Sequence, residues 1–298
     1  MNTAIRAYAK VNFSLGVGPL RPDGYHSVEM VLASVDLYDT VRLRIRDTGV
    51  RVETDAPGLP ADERNIAHRA ASMYLRTAGL DAGVQIMIEK DIPIAAGLAG
   101  GSADAAAVLS GLQLLYGDPL PADALFRIAA EIGSDVPFCL TGGLALAAGR
   151  GTELKHLPSL TEGPALVMVN PGMPLRTGDV YSLFDGLPPG PRPDTDGLVI
   201  ALSDADWQGA ASRMVNMLEP AADALCPVIP SLRKSLMQEG ALAARMSGSG
   251  PTVFGFFVDR GSAQRAAERL AYPFVRVVTP VPAGISPGEG KTAPMQNY

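Results

Sequence analysis

A glycine-rich stretch in the first half of the chain reads Pro93-Ile94-Ala95-Ala96-Gly97-Leu98-Ala99-Gly100-Gly101-Ser102-Ala103 and continues as Asp104-Ala105-Ala106-Ala107-Val108-Leu109, an alanine-rich helical pattern. Glycine lets backbone N–H groups crowd around an anion, and a helix start adds the positive end of its dipole. This glycine loop, residues 93–103, is typical of phosphate binding, although a plain turn before a helix has the same composition. It matches neither the P-loop nor the dinucleotide-binding pattern.

Polar and apolar residues alternate near the N-terminus, in the segment Ala7-Tyr8-Ala9-Lys10-Val11-Asn12-Phe13-Ser14-Leu15. A period of two predicts a strand that carries its polar groups on one face, so Lys10 and Asn12 point the same way. A solvated outer strand face would give the same alternation.

A turn of small residues precedes an apolar strand late in the chain, in Met246-Ser247-Gly248-Ser249-Gly250-Pro251-Thr252-Val253-Phe254-Gly255-Phe256-Phe257. Two serines and two glycines allow close approach to a ligand. A ligand-free turn at the start of a strand has the same pattern. We call residues 247–250 the serine turn.

Taken together and in this order, the three segments resemble the signature motifs of the GHMP small-molecule kinases. Two more segments, Arg21-Pro22-Asp23-Gly24-Tyr25-His26 and Gly133-Ser134-Asp135-Val136-Pro137-Phe138, resemble the family of 4-diphosphocytidyl-2-C-methyl-D-erythritol kinases of the non-mevalonate isoprenoid pathway. The resemblance spans roughly residues 6 to 258. It implies an α+β, two-lobed GHMP kinase fold, with a ribosomal protein S5 domain 2-like N-terminal lobe (1–158), an α/β sandwich C-terminal lobe (159–280) and a mobile tail (281–298).

The resemblance also implies a reaction, in which ATP phosphorylates the 2-hydroxyl of a cytidine diphosphate-linked methylerythritol and gives the 2-phosphate and ADP. Direct in-line transfer needs an aligned hydroxyl, neutralised phosphoryl charge and an acceptor for the hydroxyl proton. By residue match, Asp135 is the expected base and Lys10 its partner. A turn aspartate that caps the next segment is the alternative for Asp135.

The ligand-binding residues follow from the same resemblance. The glycine loop is expected to wrap the triphosphate of ATP, with Asn65 and Lys90 near the adenine. Mg²⁺ is expected to bridge phosphate oxygens with few or no protein ligands. Ser102 is a candidate near the β-phosphate or the metal, or an N-cap of the following helix. The expected substrate-binding residues, with cytosine between Tyr25 and Tyr181, are Asn12, Tyr25, His26, Thr177, Tyr181, Ser247 and Gly248.

The glycine loop departs from the common family pattern Gly-Leu-Gly-Gly-Gly-Ser-Ser at two positions. Ala99 replaces a glycine and Ala103 replaces a serine. One loop hydroxyl is therefore missing, whereas the backbone cradle is retained.

Composition favours a globular enzyme that acts on a small molecule. The chain has 298 residues, of which 47% are apolar and 19% charged, enough for two lobes with substantial cores. A net charge of −6 argues against broad nucleic-acid binding. Two cysteines, Cys139 and Cys226, give no disulfide framework or zinc site. With no membrane-length apolar run or visible signal peptide, we expect a cytoplasmic protein without membrane partners. We also expect a monomer or weak homodimer.

Periodicity along the chain predicts alternating strands and helices. Strands are expected over 5–15, 27–35, 40–47, 84–88, 142–148, 165–170, 253–258 and 274–278, and helices over 64–78, 100–116, 121–132, 198–203, 211–223, 229–239 and 261–271. Another GHMP kinase, a diphosphate decarboxylase and a non-catalytic nucleotide-binding module stay open as alternative functions.

Overall fold

The computed structural model describes residues 1–160 and 163–288, which form two β-sheets with helices packed against them. The first sheet contains β1 (Asn2–Leu20), β2 (His26–Arg46), β3 (Val50–Thr54), β4 (Gly83–Glu89), β5 (Leu144–Ala148), β6 (Glu153–Leu157) and β11 (Ile285–Pro287). The second contains β7 (Ala165–Asn170), β8 (Ala243–Met246), β9 (Val253–Phe257) and β10 (Phe274–Val278). The predicted α+β class is confirmed.

Ten helices lie within the described ranges. They are α1 (Ile66–Thr77), α2 (Gly100–Tyr116), α3 (Ala122–Ile132), α4 (Val136–Thr141), α5 (Thr177–Phe184), α6 (Thr195–Ser203), α7 (Trp207–Arg213), α8 (Glu219–Leu225), α9 (Val228–Gln238) and α10 (Arg260–Ala267). None of the helices in this part of the chain is long and apolar enough to cross a membrane.

The first sheet is built around the long hairpin of β1 and β2. Its strand order is β11-β1-β2-β4-β3, and β5 pairs with β2 and with β6. All pairs are antiparallel except β3 with β4. The centre of β1 is covered on both faces, so Lys10, Asn12 and Ser14 are buried. The alternative of a solvated outer face is therefore wrong.

Strand β2 corrects the prediction of two separate strands over 27–35 and 40–47. It continues from His26 to Arg46, with a register shift where Tyr8 pairs with Tyr38 but Ala9 pairs with Val35. The irregularity lets Asp36 accept hydrogen bonds from the backbone and side chain of Thr279. A bulge bends a strand without ending it, and alternation alone does not distinguish the two cases.

Helix α2 carries the glycine loop into the core of the first sheet. Its residues from Ala103 to Leu109 are buried, because small alanine side chains let the helix approach the sheet closely. Gly111 marks the tightest contact, since a Cβ there would lie 2.1 Å from Leu43 Cδ1 of β2. This contact fixes the helix start, where ligands are expected, relative to the strands.

The second sheet is antiparallel with strand order β10-β7-β9-β8, and its two faces bury different cores. Leu166 and Met168 belong to the core shared with the first sheet. There, the ring of Phe13 on β1 lies 6.0 Å from that of Phe254 and 5.8 Å from that of Phe256. These aromatic contacts join the two sheets directly behind Lys10 and Asn12.

The helix expected over 211–223 is two helices, α7 and α8, separated by residues 214–218. Within this break, Leu15 N donates to Val215 O and Met217 N donates to Leu15 O. Pro220 lies in the first turn of α8, where the missing N–H costs nothing, whereas a helix interior would not tolerate it. Apolar periodicity continues across the break, which explains the wrong prediction.

The C-terminal segment also differs from expectation. Residues Ile285–Pro287 pair with Ile5, Arg6 and Ala7 of β1, so the mobile tail predicted for 281–298 is wrong where the chain is described. Gly284 approaches Cys139 so closely that a Cβ would lie 2.1 Å from its carbonyl oxygen. The remainder of the predicted tail, 289–298, lies outside the described residues, as do positions 161 and 162 near the predicted lobe boundary.

Sequence periodicity missed several short elements. They are β3, β6, β8, β11, α4 and α5, none longer than eight residues. In segments this short, one or two side chains decide the apparent period, and tertiary pairing supplies most of the stability.

Candidate active site

A cavity of about 860 Å³ opens where β1, the glycine loop and the serine turn meet. Its wall contains five basic side chains, Lys10, Arg64, Lys90, Arg150 and Arg176, against three carboxylates, Asp104, Asp135 and Asp185. The cavity thus holds an excess of positive groups inside a chain of net charge −6. A site of this size and charge suits phosphorylated small molecules.

The glycine loop presents backbone N–H groups to the cavity. Ala99, the N-cap residue of α2, has φ +57° and provides no side-chain cap, so the first-turn N–H groups stay available to an anion. Ala95 also has a positive φ, of +51°. The left-handed conformation at Ala99 explains why glycine is common at this position. Ser102 lies inside the helix, so its alternative role as N-cap is wrong.

Three hydrogen bonds attach the glycine loop to the other two motifs. Lys10 N donates to Leu98 O at 3.1 Å, and Thr252 N donates to Ala96 O at 3.3 Å. Ser247 Oγ donates to Gly97 O at 3.0 Å. The loop therefore takes its shape from β1 and the serine turn as well as from its own glycines.

Gly97 is the closest contact between the loop and the serine turn. It has φ +76°, and a Cβ there would lie 2.2 Å from Ser247 O and 2.9 Å from Gly250 N. A side chain at position 97 would push the two segments apart. Glycine is required here by both conformation and space.

Lys10 and Asp135 meet at the base of the cavity. Lys10 Nζ donates to Asn12 Oδ1 at 2.6 Å and lies 3.8 Å from Asp135 Oδ2. The Lys10 side chain is 5% exposed and that of Asp135 is 32% exposed, so the carboxylate opens into the cavity. Asp135 is the N-cap residue of α4 but makes no capping hydrogen bond, so the capping alternative is wrong. The arrangement pairs a proton acceptor with a fixed cation.

Lys90 belongs to a buried ion cluster at the edge of the cavity. Its ammonium contacts Asp39 and lies 2.7 Å from Asp104 Oδ2. Asp39 Oδ1 also accepts hydrogen bonds from Asp91 N and Ile92 N, at 2.7 and 2.9 Å. The cluster thereby ties β2, the segment before the glycine loop and the second turn of α2 together.

The charges of this cluster do not balance, since two carboxylates face one ammonium. Burial raises the pKa of Asp104 well above its usual range, against the attraction of Lys90. Burial alone would lower the pKa of Lys90, but the carboxylates of Asp104 and Asp39 outweigh it and raise that pKa. Asp104 Oδ1 has no hydrogen-bond partner. The sequence predicted that Lys90 lies near the adenine of ATP, and it did not predict the two carboxylates, Asp39 and Asp104, that hold the ammonium.

Asn65 lines the cavity and also caps α1. Its Oδ1 accepts from Ala67 N and its Nδ2 donates to Pro60 O, both at 2.9 Å. Its predicted contact with adenine stays a prediction. The capping role was not foreseen, although asparagine before a helical pattern is a known signal.

Aromatic side chains form another part of the cavity wall. Tyr25 is 52% exposed, and the guanidinium carbon of Arg150 lies 4.1 Å from its ring centroid. His26 stacks on Tyr181 with centroids 5.5 Å apart, and its Nε2 lies 3.1 Å from Asp185 Oδ1. Burial, followed by the Asp135 carboxylate, raises the pKa of Tyr181 to about 12. This aromatic wall, defined by Tyr25, His26 and Tyr181, brings together residues distant in sequence.

Most predicted site residues line the cavity, but three do not. Leu98 and Ala103 are buried in the core, and Ala103 N is used in a hydrogen bond to Ala99 O. Ser247 is fully buried behind the wall, where its Oγ accepts a hydrogen bond from Asn12 N at 3.3 Å. Thr177 lines the cavity and lies 2.9 Å from Ser249, Oγ1 to Oγ.

Cavity residues that sequence analysis missed as ligand-facing include Arg64, Arg150, Arg176 and Asp185. Arg150 lies between Gly149 and Gly151, both at positive φ, in the turn between β5 and β6. An arginine between two glycines was the one available signal. Among residues 1–160 and 163–288, no group of three or more His, Cys, Asp or Glu side chains is placed to hold a metal ion.

Comparison with known proteins places the chain in a family. The models for the GHMP kinases N terminal domain and the GHMP kinases C terminal match residues 65–143 and 198–276. The chain is 40% identical over 266 residues to 4-diphosphocytidyl-2-C-methyl-D-erythritol kinase of Clostridium tetani (strain Massachusetts / E88), across 89% of this chain and 95% of that protein.

Comparison with solved structures supports the same family. A crystal structure of 4-(cytidine 5'-diphospho)-2C-methyl-D-erythritol kinase is 36% identical, with TM-score 0.76 over 94% of this chain and 99% of that chain. The homoserine kinase of Cytophaga hutchinsonii is 25% identical, with TM-score 0.78 over 96% of this chain and 97% of that one. The backbone alone does not separate these two kinases, whereas sequence identity does. The chain therefore belongs to the GHMP kinases, and within them to the family of 4-diphosphocytidyl-2-C-methyl-D-erythritol kinases.

Proposed function

We propose that this protein transfers the γ-phosphoryl group of ATP to the 2-hydroxyl of 4-diphosphocytidyl-2-C-methyl-D-erythritol, in isoprenoid precursor synthesis. The observation that carries the proposal is the Lys10 and Asp135 pair, 3.8 Å apart, in one cavity with the glycine loop and the aromatic wall. Proton acceptor, phosphate cradle and aromatic surface thus share a single space. The substrate of the related kinases supplies the identity of the alcohol.

The chemical step divides among these groups. Asp135 accepts the proton of the 2-hydroxyl as the oxygen attacks the γ-phosphorus, and ADP departs with the bridging oxygen. Lys10 is fixed by its hydrogen bond to Asn12. Its positive charge is therefore already in position to stabilise the phosphoryl group during transfer. First-turn N–H groups of α2 hold the remaining phosphates.

The protein would need few ligands of its own for a magnesium ion bound to the nucleotide. Mg²⁺ keeps several waters and usually binds through phosphate oxygens and one or two protein oxygens. The Ser102 hydroxyl, in the first turn of α2 and on the cavity wall, is the protein oxygen we assign to the phosphates or the ion. When bound, the ion neutralises charge on the triphosphate.

The aromatic wall gives the enzyme its selectivity for a substrate that carries cytidine. A cytosine ring needs a stacking surface and hydrogen-bond partners on its edge. Tyr25 offers a ring face, and Tyr181 offers the face that is not covered by the stacked ring of His26. Since Arg150 already covers one face of Tyr25, the base stacks on the other face or displaces the guanidinium. Cytoplasmic location and a monomer or weak homodimer stay predictions.

A coupled assay of ADP release tests the proposed function. The enzyme receives ATP, Mg²⁺ and one of three alcohols: the cytidine-linked methylerythritol, free methylerythritol or homoserine. We expect turnover with the first and at least a hundredfold lower kcat/KM with the other two. Equal activity on homoserine would instead assign the protein to the chemistry of its other structural relative. ADP release with no alcohol would indicate an ATPase.

A further inference from the structure

Residues 214–218, which separate α7 from α8, run beside strand β1. Within this break, Asn216 forms a parallel bridge with Leu15 of β1, the strand that also carries Lys10 and Asn12. Two backbone hydrogen bonds to Leu15, of 2.8 and 2.9 Å, hold residues 215 and 217 there. The break is therefore attached to the same strand as the expected catalytic lysine.

The side chain of Asn216 connects this break to the serine turn. Its Nδ2 donates to Met246 O and to Gly248 O, both at 2.8 Å, and its Oδ1 accepts from Leu218 N at 2.9 Å. The residue is 4% exposed, and its amide donors and acceptor are all used. The two accepting carbonyls flank Ser247, so a single amide fixes the turn on both sides.

Glu219 reinforces the same connection. Its Oε1 accepts from Met246 N at 2.8 Å, while its Oε2 lies 3.2 Å from Arg233 Nη1. Arg233 also donates to Asp223 at 2.6 Å. The first turn of α8 thereby holds the residue immediately before the serine turn.

The serine turn in turn contacts the catalytic groups. A Cβ at Gly248 would lie 3.0 Å from Gly97 O and 3.3 Å from Lys10 Nζ. Ser247 Oγ links Asn12 N with Gly97 O. A shift of the turn would therefore move the glycine loop relative to Lys10.

We propose that Asn216 is a positioning residue of the phosphoryl-transfer site, which acts by holding the serine turn against Lys10 and the glycine loop. The proposal rests on the proposed kinase function. Asn216 does not line the cavity and contacts no substrate; it sets the distance between the strand that carries Lys10 and the cradle that carries the phosphates. An error of about 1 Å in such a distance can cost a hundredfold in rate.

Two substitutions separate positioning from packing. Asn216→Ala removes both donors, whereas Asn216→Asp keeps the shape and the Oδ1 acceptor but aims carboxylate oxygen at two carbonyls. We expect kcat to fall by about 10-fold in the alanine variant and by about 100-fold in the aspartate variant, with KM for the alcohol within twofold. A packing role predicts the reverse order, because aspartate fills the space and alanine does not.

Gln113 supplies a matched control. Its amide also binds a turn, donating to Leu120 O and accepting from Leu120 N and from the Tyr74 hydroxyl, but it lies at the far end of α2. Gln113→Ala should lower the melting temperature and leave kcat unchanged. Hydrogen exchange on the full chain supplies a second readout that does not depend on activity.

In that measurement, exchange of the Ser247 and Gly250 amides should accelerate at least tenfold in Asn216→Ala, while the β9 amides keep their protection. The two amides donate to Thr252 O and Ser247 O in the wild type. A folded Asn216→Ala variant with kcat within twofold of wild type, or with unchanged exchange at both amides, would overturn the proposal. If Asn216→Asp fails to fold, kcat and amide exchange in the alanine variant are enough to test the proposal. A wild-type protein without kinase activity would overturn the proposed function, and the exchange experiment would still test the role of Asn216 in the turn.

Discussion

The glycine loop and the aromatic wall line the same cavity, yet they are built differently. The loop presents backbone N–H groups, its side chains at Leu98 and Ala103 are buried in the core, and hydrogen bonds to β1 and the serine turn fix it. The wall presents side chains, and Tyr25 is half exposed with Arg150 over its ring. In the proposed function, the loop holds the phosphates of ATP and the wall selects the alcohol.

This difference predicts different effects of substitutions in the two regions. A substitution in the loop should change both the KM for ATP and kcat, because the loop positions the phosphates relative to Lys10. A substitution in the wall should change the KM for the alcohol only.

The largest effect is expected between the two sides, at Asp135. Asp135→Asn removes the proton acceptor but keeps the shape, so kcat should fall by about 10² to 10⁴ while both KM values stay near wild type. Lys10→Ala should lower kcat similarly. Steady-state ADP release measures this, and Asp123→Asn, at an exposed position in the first turn of α3, is the control. Near-normal turnover in Asp135→Asn would remove this residue from the mechanism.

On the loop side, Gly97→Ala should separate the glycine loop from the serine turn, because its Cβ would lie 2.2 Å from Ser247 O. We expect kcat/KM for ATP to fall by about 100-fold, as for other displacements of about 1 Å. The control is Gly79→Ala, which has a similar φ of +64° but open space around its Cβ. It should cost only backbone strain, of about 1 kcal/mol. Equal activity in the two variants would show that loop geometry does not limit the reaction.

On the wall side, Tyr25→Ala should raise KM for the cytidine-linked alcohol by roughly tenfold and leave KM for ATP unchanged. Loss of base stacking on an aromatic ring costs about 1–3 kcal/mol. Tyr38→Ala is the control, since Arg6 lies over its ring at 5.0 Å outside the cavity. If both KM values rise in Tyr25→Ala, the two sides of the cavity are not independent and the assignment of cytosine to Tyr25 fails.

The smallest effect concerns the ion cluster beneath the loop. Because burial raises the pKa of Asp104 above its ordinary 3.8, the folded state holds this proton more tightly than the unfolded state. Stability from this group is therefore fully present below the unfolded pKa and is lost as pH rises through the folded pKa. Asp104→Asn cannot ionise, so it should raise the melting temperature at pH 8 by about 2–4 °C, equivalent to about 1 kcal/mol.

Calorimetry between pH 5 and pH 8 should show this difference shrinking as the pH is lowered. Asp39→Asn is the matched comparison, and it should destabilise the protein because Asp39 also accepts two backbone hydrogen bonds. A lower melting temperature for Asp104→Asn at pH 8 would show that its charge stabilises the loop. The loop side would then depend on a side-chain charge in addition to its backbone geometry.

Local patterns predicted the helices that carry apolar periodicity over several turns. Helix α2 and the strands of β1 and β4 follow from residues close in sequence, so their positions were expected within a few residues. The prediction of one helix over 211–223 was wrong because the backbone of Val215 and Met217 bonds to Leu15 instead of to neighbouring helical residues, and this contact joins distant parts of the chain. Similarly, the pairing of Ile285–Pro287 with β1 has no local signal.

The sequence by itself determined the glycine loop before α2, the shared face of Lys10 and Asn12, and the family to which these motifs point. Those features depend on φ preferences and on the spacing of neighbouring residues, which are local properties. The pairing of Lys10 with Asp135 was implied by the family resemblance and is seen in the structure. Only the tertiary structure decided that Lys90 is held between Asp39 and Asp104, and that Tyr181 stacks on His26. Such contacts form when the two sheets pack, and burial then sets the charge balance that no single segment contains.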